Sequence, residues 1–279
     1  MKYGKAFRVE PGSTPRLSDI DPGAPNGETR EAAEEETKRN LKRLSKAQYL
    51  LYADATRSLL VVLQGMDAAG KDGAIRSIFS GVDPQGISVT SFKEPSRTEL
   101  AHDFLWRVHH AAPGKGEIAI FNRSHYEDVL AVRARNLAPK AVWSGRYAQI
   151  NDFEALLTAS GTQILKFYLH ISAEEQLERF RDRLDDPDRQ WKISESDYTD
   201  REFWPDYVAA YEDAFVKTST RNAPWYIVPA NKKWYRNRVI SQIVADTLEG
   251  MGLKTPKPQV DVGKMRRRYH AETTKSKKR

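Results

Sequence analysis

Apolar positions along this chain alternate between two patterns. Short continuous apolar runs at Ser58 to Gln64 (SLLVVLQ), Ile87 to Phe92, Ile118 to Phe121, Ile164 to Ile171 and Tyr226 to Val228 have the character of strands buried on both faces. Stretches at about 71–80, 97–111, 125–137, 143–160, 173–184, 203–217 and 234–250 carry helical spacing, and 28–52 reads as a charged helix with Leu41, Leu44 and Leu51 on one side. Strands alternating with helices predict an α/β fold, a parallel sheet covered by helices on both faces and joined by right-handed crossovers. Residues 1–27 are rich in Pro, Gly, Ser and Asp without periodicity, and read as an extended arm laid on the surface or partly disordered. Ser172-Ala173-Glu174-Glu175 is a capping box that starts a helix and sets Arg179 and Arg183 on one face, with Arg181 turned away. The polar insertion after it, DDPDRQWKISESDYTDREFWPDYV, is too long for an ordinary crossover and reads as a mobile cover over the C-terminal edge of the sheet.

Composition narrows the chemistry. The 279 residues include no cysteine, which excludes disulfides, zinc-thiolate and iron–sulfur sites and a thiol nucleophile. Any metal must be held by oxygen or imidazole. No stretch approaches the roughly 18 apolar residues of a membrane span, and the N-terminal segment lacks the apolar core of a secretory signal, so a cytoplasmic protein is expected. The net charge of +7 resides entirely in residues 264–279, where eight Lys/Arg stand against one acid. The body is neutral, and residues 174–213 hold fourteen Asp/Glu against six Lys/Arg. The charge excess therefore predicts a basic, disordered tail over 256–279, without membrane or specific nucleic-acid recognition by the body, and cations for an anionic substrate must be placed locally.

The strand SLLVVLQ runs directly into Gly65-Met66-Asp67-Ala68-Ala69-Gly70-Lys71-Asp72-Gly73, a G-x-x-x-x-G-K loop in the strand–loop–helix setting that phosphate binding requires. Lys71 places a cation on the phosphate chain. Asp72 stands where such loops carry the Ser or Thr that ligates magnesium, so a metal needs another oxygen. Asp67 is the nearest, as a metal ligand, as a group orienting the attacking oxygen, or as a simple helix cap. A second strand ends in Asn122-Arg123-Ser124-His125-Tyr126-Glu127-Asp128, where Asn122, Glu127 and Asp128 are further metal-ligand candidates and Arg123 offers a planar fork to phosphate. His102, His109, His110 and His125 lack any metal-binding spacing and read as ordinary polar residues. The tryptophans in FLWRV, REFWPDY and APWYIV read as packing anchors.

The segments GMDAAGKDG, SFKEPS, HDFLWR, FNRSHYEDV, DDPDRQWK and APWYIVPANKKW together resemble the family-2 polyphosphate kinases over about residues 5–255. That resemblance implies a P-loop, thymidylate-kinase-like domain over 28–255 with a helical lid at about 173–217. It also implies magnesium-dependent phosphoryl transfer, with manganese as a substitute, between inorganic polyphosphate and adenine or guanine nucleotides, in a homo-oligomer of two or four chains. By the same resemblance Asp67 is the loop carboxylate, Lys71 the phosphate-binding lysine, and Arg123 the arginine after the second strand. Arg179 or Arg183 grips phosphate from the lid. Many members have Asp at the position of Asn122, and an acid at the position of Glu127 resembles the branch that accepts both AMP and ADP. Lys93, Arg97, Arg76 and Arg133 are candidates for a track along the polymer. Two other readings stay open: an ATP-dependent nucleoside or nucleotide kinase on the same fold, and a polyanion- or nucleic-acid-binding protein acting through its tail.

Overall fold

Five strands, β1 (Ser58–Gln64), β2 (Ile87–Ser91), β3 (Ile118–Asn122), β4 (Thr162–His170) and β5 (Trp225–Pro229), form one parallel sheet in the order β2-β3-β1-β4-β5. The computed structural model describes residues 2–23, 25 and 27–276. Its helices are α1 (Lys2–Ala6), α2 (Arg30–Asp54), α3 (Lys71–Phe79), α4 (Arg97–Leu100), α5 (Trp106–Ala111), α6 (Ala131–Ala134), α7 (Lys140–Ala159), α8 (Ala173–Leu184), α9 (Glu195–Glu202), α10 (Trp204–Thr218), α11 (Lys233–Gly250) and α12 (Val262–Ser276). Single 3₁₀ turns occur at His125–Asp128 and Gln190–Lys192. Among the described residues no helix is long and apolar enough to cross a membrane.

Central β1 is buried along its whole length, which is why its sequence shows no polar alternation. Its side chains still divide by period two. Leu59, Val61 and Leu63 join a core under α2, α3 and α11, whereas Leu60 and Val62 join a second core with Val108, Tyr126, Ile150 and Phe215 on the other face. Both cores end at the C-terminal edge of the sheet, where β1 and β3 release the polar residues of the site.

Three departures from the sequence expectations have local causes. The stretch 97–111 is two helices: Ser96 and Glu99 form a capping box that starts α4, and Asp103 accepts from Leu105 N at 3.0 Å to begin a fresh turn before α5. The stretch 125–137 is likewise a 3₁₀ turn followed by α6, since Ser124 Oγ accepts from Tyr126 N at 3.1 Å and tightens the chain. The basic tail, expected to be disordered, forms α12, whose first turn is closed by Asp261 Oδ1 accepting from Lys264 N at 3.0 Å. Residues 277–279 of that tail lie outside the described residues.

The N-terminal arm runs antiparallel to β5: Val9 N donates to Trp225 O at 2.8 Å and Ile227 N donates to Phe7 O at 2.9 Å. Tyr3, Val9 and Leu17 are buried, so the arm covers an otherwise open sheet edge.

Candidate active site

The chain turns sharply after β1 because Gly65 adopts a φ of +155° and a Cβ there would stand 2.9 Å from Leu169 O. Tyr211 OH accepts from Gly65 N at 3.1 Å and fastens the turn to α10. Gly70, at a φ of +96°, then opens α3. Ala68 and Arg123 also hold left-handed backbone, at φ +60° and +59°, a conformation that costs a non-glycine residue roughly 1–2 kcal/mol. Ala55 and Asn136 share that conformation away from the loop, at φ +49° and +52°.

Lys71 Nζ donates to the carbonyls of Gly65 at 2.8 Å and Met66 at 3.3 Å, so its ammonium lies within the loop's concavity. Burial, followed by the charge of Arg123, holds it below the ordinary lysine range against the pull of Asp67, Glu127 and Asp72. Arg123 Nη2 donates to Asp67 Oδ1 at 2.7 Å. Burial works against this guanidinium, yet Glu127 and Asp67 raise it above its usual value. Gln64, the last residue of β1, donates to Glu127 Oε1 at 3.0 Å and accepts from Ser124 Oγ at 3.3 Å, which holds Glu127 beside the loop.

Of these groups Gly65, Met66, Asp67, Arg123 and Glu127 open onto a cleft of about 510 Å³. Lys93, Arg107, Arg135 and Arg146 line it with positive charge, and Leu100, Trp204 and Tyr207 supply apolar surface. Asp128 is also there, but its carboxylate accepts from Arg146 Nη1 at 2.9 Å. Burial pushes Asp128 up to about 6 despite Arg146 and Arg107.

Helix α8 and the segment after it close over the loop. Gln176 Nε2 donates to Asp67 O at 2.8 Å, Arg201 Nη1 donates to Gln176 Oε1 at 2.8 Å, and Lys192 Nζ stands 3.9 Å from Asp72 Oδ2. Arg183 Nη1 donates to Asp197 Oδ2 at 3.3 Å. From α9, Asp197 and Asp200 both reach the cleft. Burial raises each above the ordinary carboxyl range and the neighbouring Asp67 raises each further. Asp200 Oδ1 is buried without a hydrogen bond, with Arg135 Nε at 3.5 Å.

Several residues singled out in the sequence lie elsewhere. Asn122 donates its amide to Asp72 Oδ1 at 2.7 Å, tying β3 to the first turn of α3. Arg133 points away from the cleft, because the two residues that separate it from Arg135 along the short α6 turn a side chain by about 200°; it pairs with Asp213 at 2.6 Å and lies over Trp143, and Arg135 takes the cleft position instead. Arg179 grips protein, not solvent: its five N–H groups go to Glu175 and to the carbonyls of Ala68, Ala69, Ala230 and Asn231. Arg76 and Arg97 are exposed on α3 and α4. Of the tryptophans, Trp225 is fully buried, whereas Trp204 borders the cleft.

Gln176, Asp197, Asp200, Arg146 and Arg236 belong to the site or its frame without a motif to announce them, and Arg107 closes the HDFLWR segment without having been singled out. The one available signal was spacing: Asp197 and Asp200 are three apart behind Ser194, whose hydroxyl caps α9, so both fall on one helix face.

The acids suit a hard divalent cation. Asp67 and Asp200 crowd each other with oxygen ligands only, which a cation between them relieves. Among the described residues no group of three or more His, Asp or Glu converges as a self-sufficient cage.

Comparison with known proteins agrees with this geometry. Residues 27–256 match the family model described as polyphosphate kinase 2 (PPK2). The chain is 51% identical over 258 residues to the AMP/ADP-polyphosphate phosphotransferase of Meiothermus ruber, covering 91% of this chain and 96% of that one. It is 42% identical to the ADP-polyphosphate phosphotransferase of Rhodopseudomonas palustris, covering 92% and 91% of the two chains. The crystal structure of polyphosphate kinase 2 from Arthrobacter aurescens TC1 superimposes with a TM-score of 0.93 at 41% identity over 96% of each chain. A phosphate loop with an embedded carboxylate, an arginine after the neighbouring strand and this extent of likeness place the chain in the polyphosphate kinase 2 family.

Proposed function

We propose that this protein transfers a phosphoryl group reversibly between inorganic polyphosphate and adenine or guanine nucleotides, taking AMP to ADP and ADP to ATP. The observation that carries this reading is the Asp67–Arg123 pair at 2.7 Å, set inside the phosphate loop and open to a cleft lined by cations. Family membership and the two curated relatives support the same chemistry. Glu127, held beside the loop by Gln64, is the acid by which the chain resembles the branch that uses both AMP and ADP.

Two mutually repelling polyanions must meet end to end. The loop amides and Lys71 hold the terminal phosphates of the polymer, and the cleft takes the nucleotide with its phosphate toward Arg123. A terminal oxygen of the nucleotide attacks the end phosphorus in line, one phosphoanhydride forms as another breaks, and the shortened polymer leaves. Lys71 and Arg123 neutralise charge as it spreads over the transferred group. Asp67 fixes Arg123 and the attacking oxygen, and closure of α9 through Gln176 and Arg201 excludes water. Magnesium, or manganese in its place, held by Asp67 and Asp200, supplies charge neutralisation on the phosphate oxygens.

The test is an incubation of the purified protein with polyphosphate, magnesium and either AMP or ADP, with no ATP present, followed by chromatography of the nucleotides. ADP and ATP respectively are expected. Absence of product there, with phosphorylation of the same nucleotides when ATP is the donor, would contradict the proposal and identify an ATP-dependent kinase.

A further inference from the structure

Behind the phosphate loop, on the side away from the cleft, two guanidinium groups are buried together. Arg179 comes from α8 and Arg236 from α11, and they are 6% and 2% exposed. Both converge on Gly70: a Cβ built there would stand 2.2 Å from Arg236 Nη1 and 3.4 Å from Arg179 Nη1. Between them they hold three successive loop carbonyls. Arg179 Nη1 donates to Ala68 O at 2.9 Å and Ala69 O at 2.8 Å, and Arg236 Nη1 donates to Gly70 O at 3.1 Å. In a trans peptide the C=O and the following N–H point in opposite directions, and no cis bond occurs among the described residues. Fixing those carbonyls outward therefore turns the N–H groups of Gly70 and Lys71 toward the phosphate side.

The charges do not balance. Arg179 has Glu175 at 2.8 Å, whereas Arg236 has no carboxylate partner among the described residues; its other bonds go to the amide oxygen of Asn237, at 3.1 Å from Nε and 2.8 Å from Nη2. Burial, and then Arg179, push Arg236 down to about 10. Lys233 adjoins the pair, and burial followed by Arg179 lowers it too. A buried, unpaired guanidinium is unfavourable unless an anion approaches, and the loop it fastens is where an oligoanion binds.

We infer that Arg236 is a positioning residue for phosphoryl transfer: it fastens the outer side of the phosphate loop, and its unpaired charge is balanced when the polyphosphate end occupies the loop. The inference rests on polyphosphate as the donor. It separates two contributions, the geometry set by the guanidinium fork and the charge itself.

The experiment compares the full-length wild type with Arg236→Met, which keeps the stem and loses charge and fork, and Arg236→Lys, which keeps charge alone. Thermal melting is recorded with and without inorganic tripolyphosphate, and kcat and KM are measured with polyphosphate and ADP. Arg236→Met should melt no lower than the wild type without ligand, lose at least half of the stabilisation given by tripolyphosphate, and raise KM for polyphosphate about tenfold while KM for ADP stays within about twofold. Arg236→Lys should recover KM for polyphosphate yet keep a kcat about tenfold below wild type. A Met variant that melts lower than wild type and is stabilised by tripolyphosphate as strongly would show a packing role alone and overturn the inference. Should the Met variant fail to fold, wild-type kcat in Arg236→Lys would overturn it and the KM-against-kcat split would support it. A wild type that tripolyphosphate does not stabilise at all would overturn both this inference and polyphosphate as the donor.

Discussion

Single side chains at the site work in opposed pairs, and the pairs decide how it responds to pH. Asp128 and Arg146 both line the cleft, 2.9 Å from each other, and burial pushes Asp128 up to about 6. Below that pH the carboxyl is neutral and Arg146, still bonded to the Asp128 carbonyl oxygen at 3.0 Å, has no carboxylate to compete with a nucleotide phosphate; above it the carboxylate competes for the same guanidinium. KM for AMP should therefore rise by about fivefold between pH 5 and pH 7, the equivalent of about 1 kcal/mol for one partly exposed pair. In Asp128→Asn that rise should vanish, and comparing the two enzymes cancels the titration of AMP itself. An unchanged slope in the variant would sink the assignment. The same pairing explains what could be read from residues alone. Gly65, Gly70 and Lys71 were legible because loop chemistry fixes residue type at fixed spacing. Arg133 and Arg135 were not separable, because a two-residue offset on a one-turn helix decides between Asp213 and the cleft. Asp200 carried only its spacing from Asp197 behind the Ser194 cap, and the fold of α9 is what brings it beside Asp67.

The short element that carries Glu127 and Asp128 stands on a buried polar platform. Lys166 of β4 donates to Glu154 of α7 at 2.6 Å, to Tyr126 OH at 2.9 Å and to Thr218 O at 2.7 Å, and all four residues are almost wholly inaccessible. His125, read from sequence as an ordinary polar residue, is buried with its Nε2 3.5 Å from Glu154. Removing one partner strands the other charge, so Lys166→Met should destabilise the protein by about 3–5 kcal/mol in urea unfolding, whereas Lys166→Met with Glu154→Leu should recover most of that loss. A single variant as stable as wild type would show that the platform is not what holds the 3₁₀ turn. At this scale the strands were legible because doubly covered β1 leaves a continuous apolar run. The breaks in 97–111 and 125–137 were not, because a serine or aspartate side chain competing for one backbone N–H overrides helical spacing.

Across the whole molecule charge is segregated: the body is neutral as a whole and places a group of cations around one cleft and one loop, and the net +7 sits in the tail. Among the described residues α12 is held by local bonds, such as Lys264 N to Asp261 and Thr274 Oγ1 to His270 O at 2.8 Å, and its family match stops before it, at residue 256. Deleting residues 257–279 should leave kcat at saturating polyphosphate within about twofold of wild type, in line with the small effect of charges screened beyond a Debye length of about 8–10 Å. Loss of turnover in that variant would move the active machinery into the tail. The central claim is that Lys71 and the loop amides grip the donor while the cleft presents the acceptor. Phosphorus NMR of polyphosphate and ADP with wild-type enzyme and with Lys71→Ala, each shown folded by circular dichroism, tests it most directly. Wild type should build ATP as the polymer shortens, and Lys71→Ala should do so at least about 100-fold more slowly; equal rates in the two enzymes would contradict the account.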